Sequence, residues 1–398
     1  MASHGVARTI RAHTEEGRLR DLEKIKTYRD LENQIRSQVA SGNHDVTLFH
    51  LATKLLHLNP EYYTIWNVRR RCLLSSLLSP NATTRPSDNA SLRSSSDAIP
   101  LDQRSPRTRK SDETPITSTT TVDPLGLDIQ DQESDAQKLQ SDGNILQSEL
   151  AFTVPLLLKF PKCYHIWNFR QWTLSQVTLR LPVPTTREIW EKELGLVSKM
   201  LTKDRRNFHA WGYRRFLVAK LESPELQGTS MAEDEFAYTT EMIKLDLSNF
   251  SAWHHRSQLI PRLLDERGAD DKMRTAFLDK ELSIAQEALN VGPEDQSLWF
   301  YHSFLISHIV DPRNRQTIAP ALTMEERIDY LRCEIDDIKD LLEDYPNIKW
   351  IYEGLLECSL ALERLGQRIW LAKVRALDPI RTGRWNDLER EIQGLENC

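Results

Sequence analysis

The sequence predicts an all-α fold, a stack of antiparallel helical hairpins, and three observations carry that reading. A tryptophan-centred motif recurs: "PEYYTIWNVRR" at Trp66, "PKCYHIWNFRQ" at Trp167, "RNFHAWGYRRF" at Trp211 and "SNFSAWHHRSQ" at Trp253, with decayed copies "DQSLWFYHSFL" at Trp299 and "PNIKWIYEGLL" at Trp350. A glutamate stands 18 residues before the tryptophan in four copies, as Glu149, Glu193, Glu235 and Glu281, whereas Leu48 and Arg332 occupy that place in the first and sixth. Glycine is scarce, with 14 in 398 residues, which disfavours tight turns and phosphate-cradling loops and favours helices.

Taken in order, residues 1–43 form an N-terminal segment and a helix, the charged amphipathic run "RLRDLEKIKTYRDLENQIRSQV". Residues 44–78 are the first repeat. Residues 79–143 are rich in Ser, Thr, Pro, Asp and Arg and nearly free of aromatics, so they bury too little apolar surface to offset ordering and read as a disordered insertion. Within it, "RSPRTRKS" reads as solvated linker or as a phosphorylation or docking segment. Residues 144–398 hold the remaining repeats and C-terminal helices. Tryptophan intervals of 101, 44, 42, 46 and 51 residues fit this division, the first being long because it contains the insertion. Each repeat reads as helix, break, helix. Leu331, Ile335, Ile338 and Leu342 make one helical stripe, as do Leu282, Ala285 and Leu289, and the breaks carry stop and cap residues such as "LNPEY" and "DLSNF".

Composition removes several function classes. A net charge of -6 argues against a nucleic-acid partner. Five widely spaced cysteines without a CxxC pair support neither a disulfide scaffold nor a zinc knuckle, and reduced thiols point to a cytoplasmic setting. No secretory signal or membrane span is expected. Cys398 ends the chain without a CaaX form and reads as a free thiol.

A catalytic residue does not recur in every repeat, so Trp66, Trp167, Trp211, Trp253, Trp299 and Trp350 read as core. Three residues on lie Arg69, Arg170, Arg214 and Arg256. Helix rise places the repeat glutamate too far from the arginine of its own hairpin, leaving a contact between neighbouring repeats, a glutamate that stabilises a helix start, or arginines lining a groove for a protein partner. Functional residues should differ between copies. Lys162 and Tyr164 in "PKCYHIW", and His209 beside Phe208 in "NFHAWGYRR", do so on the inter-helix breaks. Lys162 is either a solvated loop residue or a point charge for a phosphate, and Tyr164 either a plug or a hydrogen-bond donor.

The pattern of Glu, then 17 residues, Trp, two residues and Arg resembles the repeat of protein prenyltransferase alpha subunits, written around "NYxxWxxR". "HGVART" and the first-repeat "LLHLNPEYYTIWNVRR" are most similar to the Rab geranylgeranyltransferase (type II) members. The resemblance covers residues 44–78 and 145–365. It implies a right-handed superhelix of hairpins, the short form without leucine-rich or immunoglobulin-like domains. It also implies a heterodimer with a beta subunit that bears the zinc, none being bound by this chain. Its implied partners are geranylgeranyl diphosphate, Rab GTPase substrates and a Rab escort protein. In such subunits the Lys and Tyr of "PKNYxxW" meet the isoprenoid diphosphate. Lys162 and Tyr164 match them, with Cys163 for the usual Asn, and His209 matches the His of "NYHxW", with Phe208 for Tyr. The pair His254–His255 resembles the family's "WHHR" and reads as repeat, not chelate. His4 is either frayed terminus or a reversible ligand of the partner's zinc. Two rivals stay open: the farnesyl/type-I alpha subunit and a non-catalytic helical scaffold.

Overall fold

The computed structural model describes residues 15–80, 128–310, 317–362 and 367–396, which are helical and contain no strand. The chain divides after Thr186 into two units. In the first, α1 (Glu15–Ala40) precedes hairpin α2 (Val46–Leu58) and α3 (Tyr63–Cys72), then hairpin α4 (Asp128–Lys159) and α5 (Tyr164–Arg180). The charged amphipathic run lies within α1. That helix buries Ile35 and joins the first hairpin through Tyr62 Oη, which donates to Glu32 at 2.9 Å, and Asn59 Nδ2, which donates to Tyr28 Oη at 3.1 Å.

The insertion is shorter at its C-terminal end than the sequence implied, because helix α4 already begins at Asp128. Its start, α3, unwinds through a π-turn at Leu73–Leu77, closed by Leu78 N–H donating to Leu73 O at 2.8 Å. Ser79 N–H then donates to Asp142 Oδ1 at 2.9 Å, while Arg180 Nη1 donates to Ser79 O at 2.6 Å and Asp142 Oδ2 at 3.0 Å. Asp142 and Arg180 are both buried on the second hairpin, so residue 142 is core, not linker. Composition gave no warning, since the segment is polar and the burial of Asp142 is contributed by Arg180, outside it.

The second unit holds most of α6 (Val183–Lys203) with α7 (Phe208–Leu221), then α8 (Ala232–Leu245) with α9 (Phe250–Glu266), α10 (Asp271–Val291) with α11 (Gln296–Val310), and α12 (Met324–Asp344) with α13 (Lys349–Ala361). Two C-terminal helices follow, α14 (Gln367–Leu377) and α15 (Thr382–Glu396). Their Leu371, Val374 and Trp385 pack on Tyr352 and Leu356 of α13. Starts are fixed by caps: Asn207, Asn249 and Asp270 accept from the first-turn amides, and Thr323 with Glu326 makes a capping box.

The repeat tryptophan locks each break to its second helix. Its indole Nε1 donates to the carbonyl six residues back: Trp66 to Pro60, Trp167 to Pro161, Trp211 to Arg205, Trp253 to Leu247 and Trp299 to Pro293, all at 2.7–2.9 Å. These five rings are buried. The sixth copy is a correction. Trp350 is only half-buried, and its place is taken by Tyr352, whose hydroxyl donates to Pro346 O at 2.7 Å. Trp350 instead lies under the Lys349 ammonium and the Arg381 guanidinium. A phenol reaches the same carbonyl as an indole, so the letter W was the wrong anchor. The proline six residues earlier was the better one.

That shift restores the glutamate rule, for Glu334 lies 18 residues before Tyr352. Three of the glutamates bind the arginine of the preceding repeat, while Glu193 accepts from Tyr213 Oη at 2.5 Å. Arg69 holds Glu149 through Nε at 2.5 Å and Nη2 at 2.8 Å, Arg214 holds Glu235 at 2.9 and 2.5 Å, and Arg256 holds Glu281 at 2.7 and 2.6 Å. In the fifth repeat His302 replaces arginine, its Nε2 2.8 Å from Glu334 Oε2. The first repeat has no predecessor to pair with, and its Leu48 is buried apolar core. Arginine Nη1 also meets a hydroxyl of its own first helix: Thr53 for Arg69, Ser198 for Arg214 and Thr240 for Arg256. Aromatic faces complete the cage, with Phe49 and Phe152 at 3.9 and 4.1 Å from Arg69, Tyr238 at 3.4 Å from Arg214 and Phe236 at 3.8 Å from Arg256. Arg170 is likewise buried, and donates to Leu150 O at 2.6 Å and to Thr153 Oγ1. All four arginines are architecture, and none lines a groove.

Candidate functional site

With tryptophan and arginine spent on packing, the motif's leading edge remains for chemistry. In the second repeat the chain leaves α4 at Phe160, turns through Pro161–Cys163 and starts α5 at Tyr164. Cys163, Trp167 and Arg170 face inward; Lys162 is exposed and Tyr164 is 56 % exposed. Cys163, Trp167 and Arg170 are spaced four and three apart and so share one face, while Lys162 precedes α5 and Tyr164 is its first residue.

Tyr164 does not stand alone. Its ring lies 5.7 Å from that of His165, which faces Tyr63 of α3 at 5.8 Å. Asn168 Nδ2 approaches its hydroxyl at 3.4 Å. Beside them Arg70 of α3 donates through Nη1 to Asn67 Oδ1 and through Nη2 to Asn168 Oδ1, both at 2.7 Å. Burial pulls Arg70 below the usual arginine value, with the Tyr164 and Tyr63 phenols acting the other way. The edge is therefore electropositive and rich in donors, suited to an anion with spread charge. Arg70, Asn67 and Asn168 escaped the sequence reading. Their signal was present: asparagine follows the tryptophan in the first two copies only, and arginine stands four residues after it in the first and third.

His209 belongs to the second unit. It is half-buried as the second residue of α7, its backbone N–H held by Asn207 Oδ1 at 3.1 Å and its ring 4.0 Å from that of Phe208, which is exposed. The paired histidines diverge. His255 is buried with Nε2 3.0 Å from Glu235 Oε2, whereas His254 is exposed and stacks on Phe250. Among the described residues no group of three or more His, Cys, Asp or Glu is placed to hold a metal ion, and no helix is long and apolar enough to cross a membrane. His4, Cys398 and "RSPRTRKS" lie outside the described residues.

Cys163 shows what its asparagine siblings do. Asn249 Nδ2 donates to Arg205 O at 3.1 Å in the preceding break, and its Oδ1 caps Ala252 N–H. Cys163 Sγ reaches the equivalent Pro60 O at 3.5 Å but caps nothing, and burial pushes its thiol up to about 11. Cys163→Asn should therefore add a helix cap and raise unfolding free energy by about 1 kcal/mol. A urea midpoint unchanged or lowered in that variant would show that the pocket does not accept the amide.

The protein prenyltransferase alpha subunit repeat matches residues 47–76, 146–177, 190–221, 232–263 and 278–309, which are the first five hairpins. A chain in the solved structure of Candida albicans protein geranylgeranyltransferase-I complexed with GGPP shares the fold, with a TM-score of 0.53 at 18% identity over 93% of this chain and 91% of that one. These likenesses define the class, a chain of prenyltransferase alpha-subunit repeats. The geranylgeranyl transferase type-2 subunit alpha of Candida albicans is 31% identical over 330 residues, 76% of this chain and 73% of that protein. Its Schizosaccharomyces pombe namesake is 27% identical over 321 residues, 68% of this chain and 91% of that protein. The chain belongs to the geranylgeranyl transferase type-2 alpha subunit family.

Proposed function

We propose that this chain is the alpha half of a heterodimer that moves a geranylgeranyl group from its diphosphate to C-terminal cysteines of Rab GTPases presented by an escort protein. A beta subunit carries the zinc that activates the acceptor thiol. This chain's part is to embrace that subunit and to meet the diphosphate with Lys162, Tyr164 and His209. One observation carries the reading: the second repeat buries the shared residues of its motif and presents Lys162 and Tyr164, with Arg70 beside the phenol. Lysine supplies a point charge, and the phenol and imidazole supply hydrogen-bond donors, for charge that grows on the leaving diphosphate.

The test is co-expression with a beta-type prenyltransferase subunit, followed by prenyl transfer to Rab with escort protein or to a CaaX peptide. Transfer to Rab alone is expected. Transfer to the peptide assigns the chain to the farnesyl/type-I group, and a soluble chain that captures no beta subunit is a scaffold.

A further inference from the structure

Arg70 and Arg215 hold the same place, four residues after Trp66 and Trp211. Around Arg70 the chain supplies two acceptors, Asn67 Oδ1 of its own helix and Asn168 Oδ1 of the next repeat. The matching positions around Arg215 are Gly212 and His254. Glycine offers no side chain, and a Cβ added at Gly212 would lie 4.0 Å from Arg215 Nη2, so the guanidinium extends back over the bare turn of α7. His254 is no substitute: burial first, and then the Arg215 charge, hold it below its ordinary value.

Arg215 is exposed and makes no hydrogen bond or ion pair among the described residues. The other arginines of α7 and α9 are paired: Arg214 with Glu235, Arg256 with Glu281, and Arg262 with Glu222 and Glu266. An exposed arginine with no acceptor in its own chain can gain a charge-assisted hydrogen bond when a carboxylate arrives from outside. Next to His254 a groove of about 330 Å³ opens between α9 and α11, lined by Phe250, Ser257, Gln258, Phe300 and Phe304. Phe250 and Phe300 are about half exposed, which makes it an open surface groove and not the enclosed cavity that buries most of a small ligand. Unpaired arginine beside exposed aromatic rings is the composition of a protein-binding hot spot.

We propose that Arg215 and His254 are a docking site for a carboxylate of the partner subunit, with an apolar side chain of the same segment seated in the groove between α9 and α11. This rests on the chain pairing with a beta subunit as proposed above.

The experiment compares heterodimers of wild type, Arg215→Ala, Arg215→Glu and Arg215→Lys. It measures subunit affinity at low and high salt and KM for geranylgeranyl diphosphate. Arg215 supports nothing inside the subunit, so circular dichroism and melting of the free variants should match wild type. The expected result is roughly tenfold weaker pairing for Arg215→Ala, a larger loss for Arg215→Glu, partial rescue by Arg215→Lys, and a shallower salt dependence for Arg215→Ala than for wild type. Unchanged affinity in Arg215→Glu overturns the site. Unchanged affinity with a raised KM also overturns it, assigning the anion to the diphosphate. A wild-type chain that binds no beta subunit defeats the functional reading itself, a result visible before any variant is made.

Discussion

Glu235→Ala should unfold with about 3–5 kcal/mol less free energy than wild type, a large share of the total stability of a protein domain. Glu235 is buried and serves two donors: Arg214 from the preceding repeat, at 2.9 and 2.5 Å, and His255 of its own second helix, at 3.0 Å. Removing the carboxylate leaves a guanidinium inside the protein between Ser198 and the Tyr238 ring, with its desolvation uncompensated. Replacing both partners, Arg214→Met with Glu235→Leu, should cost less than Glu235→Ala alone, because no orphan charge remains. A double variant as damaged as the sum of the single ones would mean the pair is not coupled. The pH dependence has a definite sign. Burial opposes ionisation of Glu235, but hydrogen bonds from His255 and Arg214 outweigh it and lower its pKa. The stabilisation is thus complete above the unfolded glutamate value, about 4.3, and is lost as pH falls through the lower folded value. Glu235→Gln should flatten that acid limb in urea titrations between about pH 2 and 5.

Side-chain chemistry explains which parts of this design were legible in sequence. The keystone indole and the glutamate 18 residues before it repeat because every junction solves the same packing problem, and a repeated solution shows as periodicity. Helix rise excluded pairing of arginine and glutamate within one hairpin and left a contact between neighbouring repeats as one of the alternatives, the one three of the pairs adopt. What periodicity hid were substitutions that preserve geometry while changing letters: Tyr352 for the sixth tryptophan, His302 for the fifth arginine, Cys163 for an asparagine. Each keeps a donor aimed at the same acceptor. The site was harder to read because its residues are defined by not repeating. Lys162 stood out in sequence as a departure from the pattern, whereas Arg70 did not, since its surroundings depend on Asn67 and Asn168 arriving from two helices. The end of the insertion was misplaced for the same reason, Asp142 being buried by Arg180 of another helix.

Lys162→Ala, in the heterodimer, should lower kcat about 10²-fold with geranylgeranyl diphosphate as donor, near the loss seen when one preorganised donor to developing charge is removed. The loss should fall on kcat more than on KM, because charge on the leaving diphosphate peaks in the transition state and an interaction realised there does little for ground-state binding. Subunit affinity and melting temperature should be unchanged: Lys162 is exposed and precedes the first turn of α5. Tyr164→Phe removes one donor from a ring that is itself 56 % exposed, and should cost less, roughly tenfold, without loss of fold. The two losses should combine less than additively, as both groups act on the same leaving anion. Trp167→Ala makes the contrast, three residues after Tyr164 but buried with its indole on Pro161 O. It should lose stability by about 3–5 kcal/mol and lose activity only as the fold is lost. Lysine and tryptophan variants failing in the same way, by losing the dimer, would return Lys162 to the architecture. Loss of turnover in an intact dimer separates the motif into a packed frame and a chemical edge.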